Sequence, residues 1–386
     1  MLKLYDYVKR VIDVKKILFL AHGFTGLYYY RRELMERLIK EGNEVYLAIS
    51  ESEDNKLFEE MGCKIIPTVV DRRGTNPVAD LKLILSYMKT LRELKPDAVL
   101  TYTIKANIYG SLACGLTGNK CISNVTGLGT SIANGGLLSK ITMTLYKAGL
   151  RKNHHTFFQN QPNYDLFKNA GIVNENNSSI IPGSGVNLVY HCAEEYPDED
   201  SPIRIVFVSR VMRDKGSFEL FDAAKIIKKK YPDVIFDVIG PLEEDVDPDY
   251  IKELDKQGII KYHGSQNDIH PYVKQGWANI LPSYHEGIAN VLLEGSACAR
   301  PVLATRVTGC KETYIDGETG IGFNVKDVND LVRALEEFIE MPYEDKVEMG
   351  KKGRKFVEEN YDRNIVIEAY YDKIFDKKTV KETILK

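Results

Sequence analysis

KILFLAHGFTG at residues 16–26 and RIVFVSRVMRDKG at residues 204–216 decide the fold of this 386-residue chain. Each opens with an apolar run of strand length. Each then turns through a polar loop, with Gly23 and Gly26 in the first and Gly216 in the second, into a helical pattern. The same opening move is made twice, almost half a chain apart. Around it, short apolar runs alternate with amphipathic helical patterns. Strands are expected at Lys16–Ala21, Val45–Ile49, Lys64–Ile66, Ala98–Thr101, Cys121–Asn124 and Thr156–Phe158. Helices are expected at Tyr30–Lys40, Val78–Leu94, Asn107–Leu116 and Leu137–Leu150. Alternation of this kind predicts parallel sheets covered by helices on both faces, so the expected fold class is α/β with two Rossmann-like, doubly wound domains.

The length suits two domains of roughly 150–200 residues each. Breaker-rich Pro182–Gly185 and the acidic loop Glu194–Ser201 bracket the expected boundary. The reading is an N-terminal domain over 1–190, a second over 191–361, and a last helical stretch over 362–386 that packs back toward the first. Residues 1–14 place Leu4, Val8, Val11 and Ile12 at helical spacing, which suits either packing or a membrane surface.

A hydrophobic content of 44% with 28% charged residues indicates a globular protein. The net charge of −3 gives no reason to expect nucleic-acid binding. No run approaches the roughly 20 apolar residues of a membrane span, and no signal peptide is read at the N-terminus. The six cysteines include no Cys-x-x-Cys pair and give no zinc or disulfide framework. They read as free thiols in a reducing, cytoplasmic setting. Charge is unevenly spread: from Ala98 to Tyr164 there is no Asp or Glu, while Lys105, Lys120, Lys140, Lys147, Arg151 and Lys152 all fall there. Either the stretch is mostly buried sheet, or it meets an anionic partner. Within it, Leu138, Ile141, Leu145 and Tyr146 share helical spacing beside Lys140, Lys147, Arg151 and Lys152, a pattern suited to an anionic membrane surface or to a core helix with a solvated basic face.

The segment PSYHEGIANVLLE, residues 282–294, carries most of the chemistry. A strand at Ala278–Leu281 ends in a polar loop, and an apolar helix begins near Ala289. A helix N-terminus offers free N–H groups and a positive dipole end, which suits a diphosphate. Glu294 lies four residues beyond Asn290, one turn in on the same face, within reach of ribose hydroxyls. Glu286 is held in the loop. Taken alone, the pair reads first as one loop acid and one solvated helix acid, and Arg210 with Lys215 as two solvated basic residues after a strand.

Glu286, seven residues, then Glu294, after a Pro-Ser strand end, resembles the motif of glycosyltransferase family 4, the retaining GT-B enzymes. The resemblance continues through 297–305, 309–312 and 316–320, with Ala299 where the family usually has Gly. A second block, Ser209 to Gly216, resembles the family's donor-diphosphate loop. The resemblance is strong from Arg204 to Phe323 and looser over the N-terminal half.

It implies two domains facing across a cleft, with a nucleotide-sugar donor, most often UDP-linked, in the second. It implies that Arg210 and Lys215 bracket the diphosphate, that Glu286 sits by the transferred sugar, and that Gly287, Ile288, Ala289, Asn290 and Glu294 line the donor. It further implies retention of anomeric configuration, no metal and no cofactor. The acidic triplets Asp198–Asp200 and Asp247–Asp249 read accordingly as solvated loops. Gly23 corresponds to a loop that touches donor phosphate or acceptor, although a plain tight turn is an equal reading. Thr103–Gly110 and Asn124–Gly129 are similar to segments of members that build surface polysaccharides and glycolipids. That similarity makes Lys105, Asn107, Thr126 and Gly127 acceptor-side candidates, with loop packing as the alternative. The expected activity is transfer of a hexose or N-acetylhexosamine from a UDP-sugar to a lipid-linked saccharide, by an enzyme peripheral on the inner face of the cell membrane. A UDP-sugar 2-epimerase of the same fold and a non-catalytic nucleotide-sugar-binding subunit are the rivals.

Overall fold

The computed structural model describes residues 14–70, 76–127 and 136–376. Leu128 and Gly129 of the second acceptor-side segment, and the helix expected within residues 1–14, lie outside the described residues. The chain divides into two compact units. One runs to Ser184 and resumes at Ile365; the other spans Gly185–Asn364.

The first unit is built on β1 (Lys16–Leu20), β2 (Glu44–Ile49), β3 (Lys64–Pro67), β4 (Ala98–Tyr102), β5 (Cys121–Val125), β6 (His155–Phe158) and β7 (Ser178–Ile180). They form one sheet in the order β3-β2-β1-β4-β5-β6-β7, with every pair parallel. β1 is apolar from Ile17 to Leu20 because both faces are covered. Ile17 and Phe19 point into a core shared with the Phe24–Lys40 helix. Leu18 and Leu20 point the other way, toward Tyr87, Leu91 and Tyr146. The first of these cores also contains Val366, Ile367, Tyr370, Tyr371 and Ile374 from the helix Arg363–Ile374. Asn124 donates to the Tyr370 hydroxyl at 2.7 Å, and Lys120 donates to the Ile374 carbonyl at 3.0 Å.

The second unit holds β8 (Arg204–Val208), β9 (Ile235–Ile239), β10 (Lys261–Gly264), β11 (Ala278–Leu281), β12 (Val302–Thr305) and β13 (Gly320–Phe323). Their order is β10-β9-β8-β11-β12-β13, again all parallel. In each sheet the strand order reverses beside the first strand: between β1 and β4 in one, between β8 and β11 in the other. Open α/β sheets bind ligands beyond the carboxyl ends of the strands at such a switch point.

The expected strands fall within a residue or so of those observed. The first long helix begins at Phe24, six residues earlier than its periodicity suggested. β7 and the short helices Lys56–Met61 and Gln161–Asn169 had no clear pattern of their own. The Gly136–Leu150 helix corrects a simple amphipathic reading. Tyr146 and Leu150 are buried in the core, Leu145 is half-buried, and among the large apolar residues only Leu137, Leu138 and Ile141 leave their side chains exposed.

Candidate active site at the second switch point

Two loops meet beyond β8 and β11, and glycine permits the contact. Gly216 has φ +70°, and a Cβ there would lie 2.0 Å from the Pro282 carbonyl oxygen. The loop after β8 can therefore lie against the loop after β11. Hydrogen bonds tie the two: the Asp214 carbonyl accepts from the Tyr284 N–H at 2.9 Å and the Ser283 hydroxyl at 3.2 Å. The outcome is a contact between the two chemical motifs: Lys215 Nζ lies 2.5 Å from Glu286 Oε1, with both side chains largely buried.

A third loop fixes Glu286 from the far side. Gly309, at φ +87°, leaves room for the Glu286 carbonyl, which a Cβ would approach to 2.4 Å. The Glu286 N–H donates to Thr308 O at 3.2 Å, and the Ala289 N–H donates to Gly309 O at 2.7 Å. The helix Asn290–Ala297 then starts with no side-chain cap, so its first N–H groups are not satisfied by a neighbouring side chain. Asn290 Oδ1 is buried with no hydrogen-bond partner among the described residues. Ile288 and Ala289 are buried, and Gly287 is half-buried.

One turn into this helix, the Glu294 side chain is 13% exposed and stands 4.0 Å from His191 Nε2. Burial pushes its carboxyl up to about 7, with the Arg363 guanidinium opposing. Arg210 follows β8 directly and donates to Glu243 Oε1 at 2.9 Å. Both cations therefore already have carboxylate partners, and an incoming diphosphate would share or displace them. Spacing alone did not reveal Glu243 or His191, because each reaches the site from a separate loop, and Asp214 acts there through its backbone carbonyl rather than its side chain. Asp198, Glu199 and Asp200 are exposed, as are Asp247 and Asp249, and Asp247 caps a helix by accepting the Asp249 N–H. A hollow of about 440 Å³ lined by Arg204, Asp237 and His263 contains none of the predicted residues.

In the first unit, Gly23 sits between β1 and the helix Phe24–Lys40 with nothing within 4 Å of a notional Cβ. Thr126 is exposed just past β5. Lys105, just past β4, is 2.7 Å from Asp80, to which the Tyr109 hydroxyl also donates. Asn107 is only 1% exposed. Its amide donates to Asn124 O at 2.8 Å and its Oδ1 accepts from Thr101 at 2.8 Å. These contacts hold β4 to β5, which favours the packing alternative for this residue.

Two family profiles match the chain: "Glycosyl transferase 4-like" over residues 16–160 and "Glycosyl transferases group 1" over residues 193–356. The chain belongs to the family 4 glycosyltransferases. The glycosyltransferase is 25% identical over 379 residues to the N,N'-diacetylbacillosaminyl-diphospho-undecaprenol alpha-1,3-N-acetylgalactosaminyltransferase of Campylobacter jejuni, covering 94% of this chain and 98% of that protein. It is also 25% identical to the capsular polysaccharide biosynthesis glycosyltransferase CapM of Staphylococcus aureus, covering 87% and 91%. In fold, the glycosyltransferase resembles Anabaena HepE solved with UDP, at TM-score 0.76, 16% identity, and coverage of 94% and 100%. Its two parallel-sheet domains are those of the GT-B enzymes.

Proposed function

We propose that this glycosyltransferase moves a hexose or N-acetylhexosamine from a UDP-sugar to a lipid-linked saccharide, with retention and without a metal ion. The observation that carries the reading is the meeting of Lys215 and Glu286 beside the uncapped N-terminus of Asn290–Ala297. The diphosphate would lie between Arg210, Lys215 and the N–H groups of that helix, with Gly287 and Asn290 alongside. As the sugar–phosphate bond breaks, charge builds on the departing diphosphate, and two fixed cations with a helix dipole stabilise that charge more than the ground state. Arg210 suits bidentate phosphate contact and Lys215 a point charge. Glu294 would accept from ribose hydroxyls, and Glu286 would lie by the reacting sugar.

A UDP donor accords with the UDP complex of the HepE fold relative. A lipid-linked acceptor accords with the undecaprenol-diphosphate substrate in the Campylobacter relative's name. Lys105, Thr126 and Gly127 follow strands of the first unit and are the proposed acceptor-side groups, with Gly23 beyond β1 meeting donor phosphate or acceptor. Among the described residues no helix is long and apolar enough to cross a membrane. Approach to a lipid-linked acceptor is therefore assigned to a surface contact through Leu137, Leu138 and Ile141 with nearby Lys140 and Lys147.

The test is release of nucleoside diphosphate from a panel of donors, with and without a lipid-linked saccharide. Release of UDP only with acceptor, with no added magnesium or manganese and giving the donor's own anomer by NMR, is expected. Conversion of the donor sugar to its C2 epimer without acceptor would instead establish the epimerase reading.

A further inference from the structure

At the C-terminal end of the donor helix, the second unit brings His191, which also lies 4.0 Å from Glu294, together with two residues the proposed transfer does not use. His191 is 5% exposed, Cys298 is fully buried at the C-terminal end of the Asn290–Ala297 helix, and His270 opens the short His270–Gln275 helix. One ring nitrogen from each histidine and the Cys298 sulfur all lie within 4.8 Å of one another. The three are far apart in sequence, which is why the cysteine spacing gave no zinc framework.

We infer that His191, His270 and Cys298 form a site for a zinc ion. The geometry of His270 points there first. Its Nε2 is 2.8 Å from Glu194 Oε1, and its Nδ1 is 3.8 Å from Cys298 Sγ. Glu194 also accepts from Lys274 Nζ at 2.8 Å, so its carboxylate is held against the imidazole edge. A carboxylate taking one ring N–H fixes the tautomer and leaves the other nitrogen as a lone pair, the arrangement that backs metal-bound histidines. That lone pair faces the sulfur. In a tetrahedral zinc site with Zn–S of about 2.3 Å and Zn–N of about 2.0 Å, sulfur and nitrogen stand roughly 3.6 Å apart, close to the separation here.

The donor set selects the metal. Two imidazoles and a thiolate favour zinc and its first-row neighbours over magnesium or calcium, which take oxygen. Binding replaces the thiol proton, which leaves to solvent, with the ion. The backbone around the site is already fixed. Arg354 donates to the carbonyls of His191 at 2.8 Å and Ala297 at 2.6 Å, and Arg300 donates to those of Glu194 at 3.2 Å and Lys274 at 2.6 Å. The ion would tie the segment before β8 and the His270–Gln275 helix to the end of the helix that carries Glu294. It touches no proposed phosphate group, so its role is to hold the donor helix, and transfer needs no metal at the reacting centre.

A rival set shares His270: Cys192 and Glu194 also come within 4.8 Å of it and of each other. Cys192 is exposed, so the two sets give different outcomes. The experiment uses full-length protein stripped of metal and titrated with cobalt(II) as a spectroscopic substitute for zinc. The expected result is one equivalent bound, with a thiolate-to-cobalt absorption in the near ultraviolet and zinc displacing it. Cys298→Ser should remove that band and Cys192→Ser should keep it. Glu194→Gln should weaken cobalt binding by about 10-fold or more, the scale for losing a supporting carboxylate. Circular dichroism of each variant separates loss of the site from loss of the fold. No thiolate band in the wild type would overturn the assignment, a result that needs no variant to fold. A band lost in Cys192→Ser and kept in Cys298→Ser would overturn it in favour of the exposed set.

Discussion

Glu286 and Glu294 share one loop and helix but meet different surroundings, and this predicts different kinetic roles. Glu286 is held from two sides, by the Lys215 ammonium and by the loop at Thr308 and Gly309, in a place suited to the reacting sugar. Glu294 lies deeper, against His191. Glu286→Ala should chiefly lower kcat, and Glu294→Ala should chiefly raise the donor KM. Steady-state kinetics on both variants check this, and a KM effect alone in both would remove Glu286 from the sugar. Lys215 is the partner to compare: Lys215→Ala should lower kcat/KM by about 10²-fold, the scale for one preorganised electrostatic contact. At the same scale sits Ala299. It adopts φ +58° just past the donor helix, a left-handed conformation that costs a residue with a Cβ about 1 kcal/mol. The family's usual glycine would relieve that cost, so Ala299→Gly should stabilise the second unit by roughly 0.5–1 kcal/mol in thermal unfolding, with kinetics unchanged. From sequence the alanine looked a mild departure; its backbone angle is what makes it measurable.

Among the loops, Gly216 shows why the donor site was legible in part. The spacing of Arg210, Lys215, Glu286 and Glu294 picked out the residues of the proposed donor site, because each motif lies within one strand end and its following helix. The docking of one loop on the other depends on Gly216 passing the Pro282 carbonyl and on Asp214 accepting from Ser283 and Tyr284. Those contacts span about seventy residues and have no local signature. Gly216→Ala forces both a strained backbone angle and a clash, so it should cost more than about 2 kcal/mol. It should also lose activity to a degree comparable with Lys215→Ala, although residue 216 bears no reactive group. Thermal unfolding beside nucleotide-release assays checks both parts. The strands were legible because buried parallel strands read as apolar runs. The acceptor-side assignment was less so. Asn107 opened an expected helix as an acceptor-side candidate, and the Ala106–Gly110 turn buries it and spends its amide on β5. The helix at Gly136–Leu150 divides similarly: periodicity grouped Tyr146 with Leu138 and Ile141, but only the latter two leave the core.

For the molecule as a whole, that partial exposure sets the scale of the proposed membrane contact. Three apolar side chains and the neighbouring lysines form a modest patch, each basic residue contributing on the order of 1 kcal/mol near an anionic surface. Binding to anionic vesicles should therefore be reversible and should weaken with salt. Ile141→Glu with Lys147→Glu should abolish it while turnover of a short, water-soluble acceptor persists. Sedimentation with anionic and neutral vesicles is the measurement, and equal binding to both would contradict the surface assignment. The helix Arg363–Ile374 has a consequence of another kind. Its tyrosines and aliphatics complete a core whose other members lie before residue 184, while residues 185–364 form their own unit in between. A ribosome delivers these parts in the opposite order to the one the first unit requires. When synthesis has reached about residue 360, the later-made sheet has nearly all its strands and helices, whereas the earlier-made one still lacks a helix that shares one core with the Phe24–Lys40 helix. A nascent chain stalled there should show protease resistance over the second unit before the first, so the half translated first should be the half that finishes folding last.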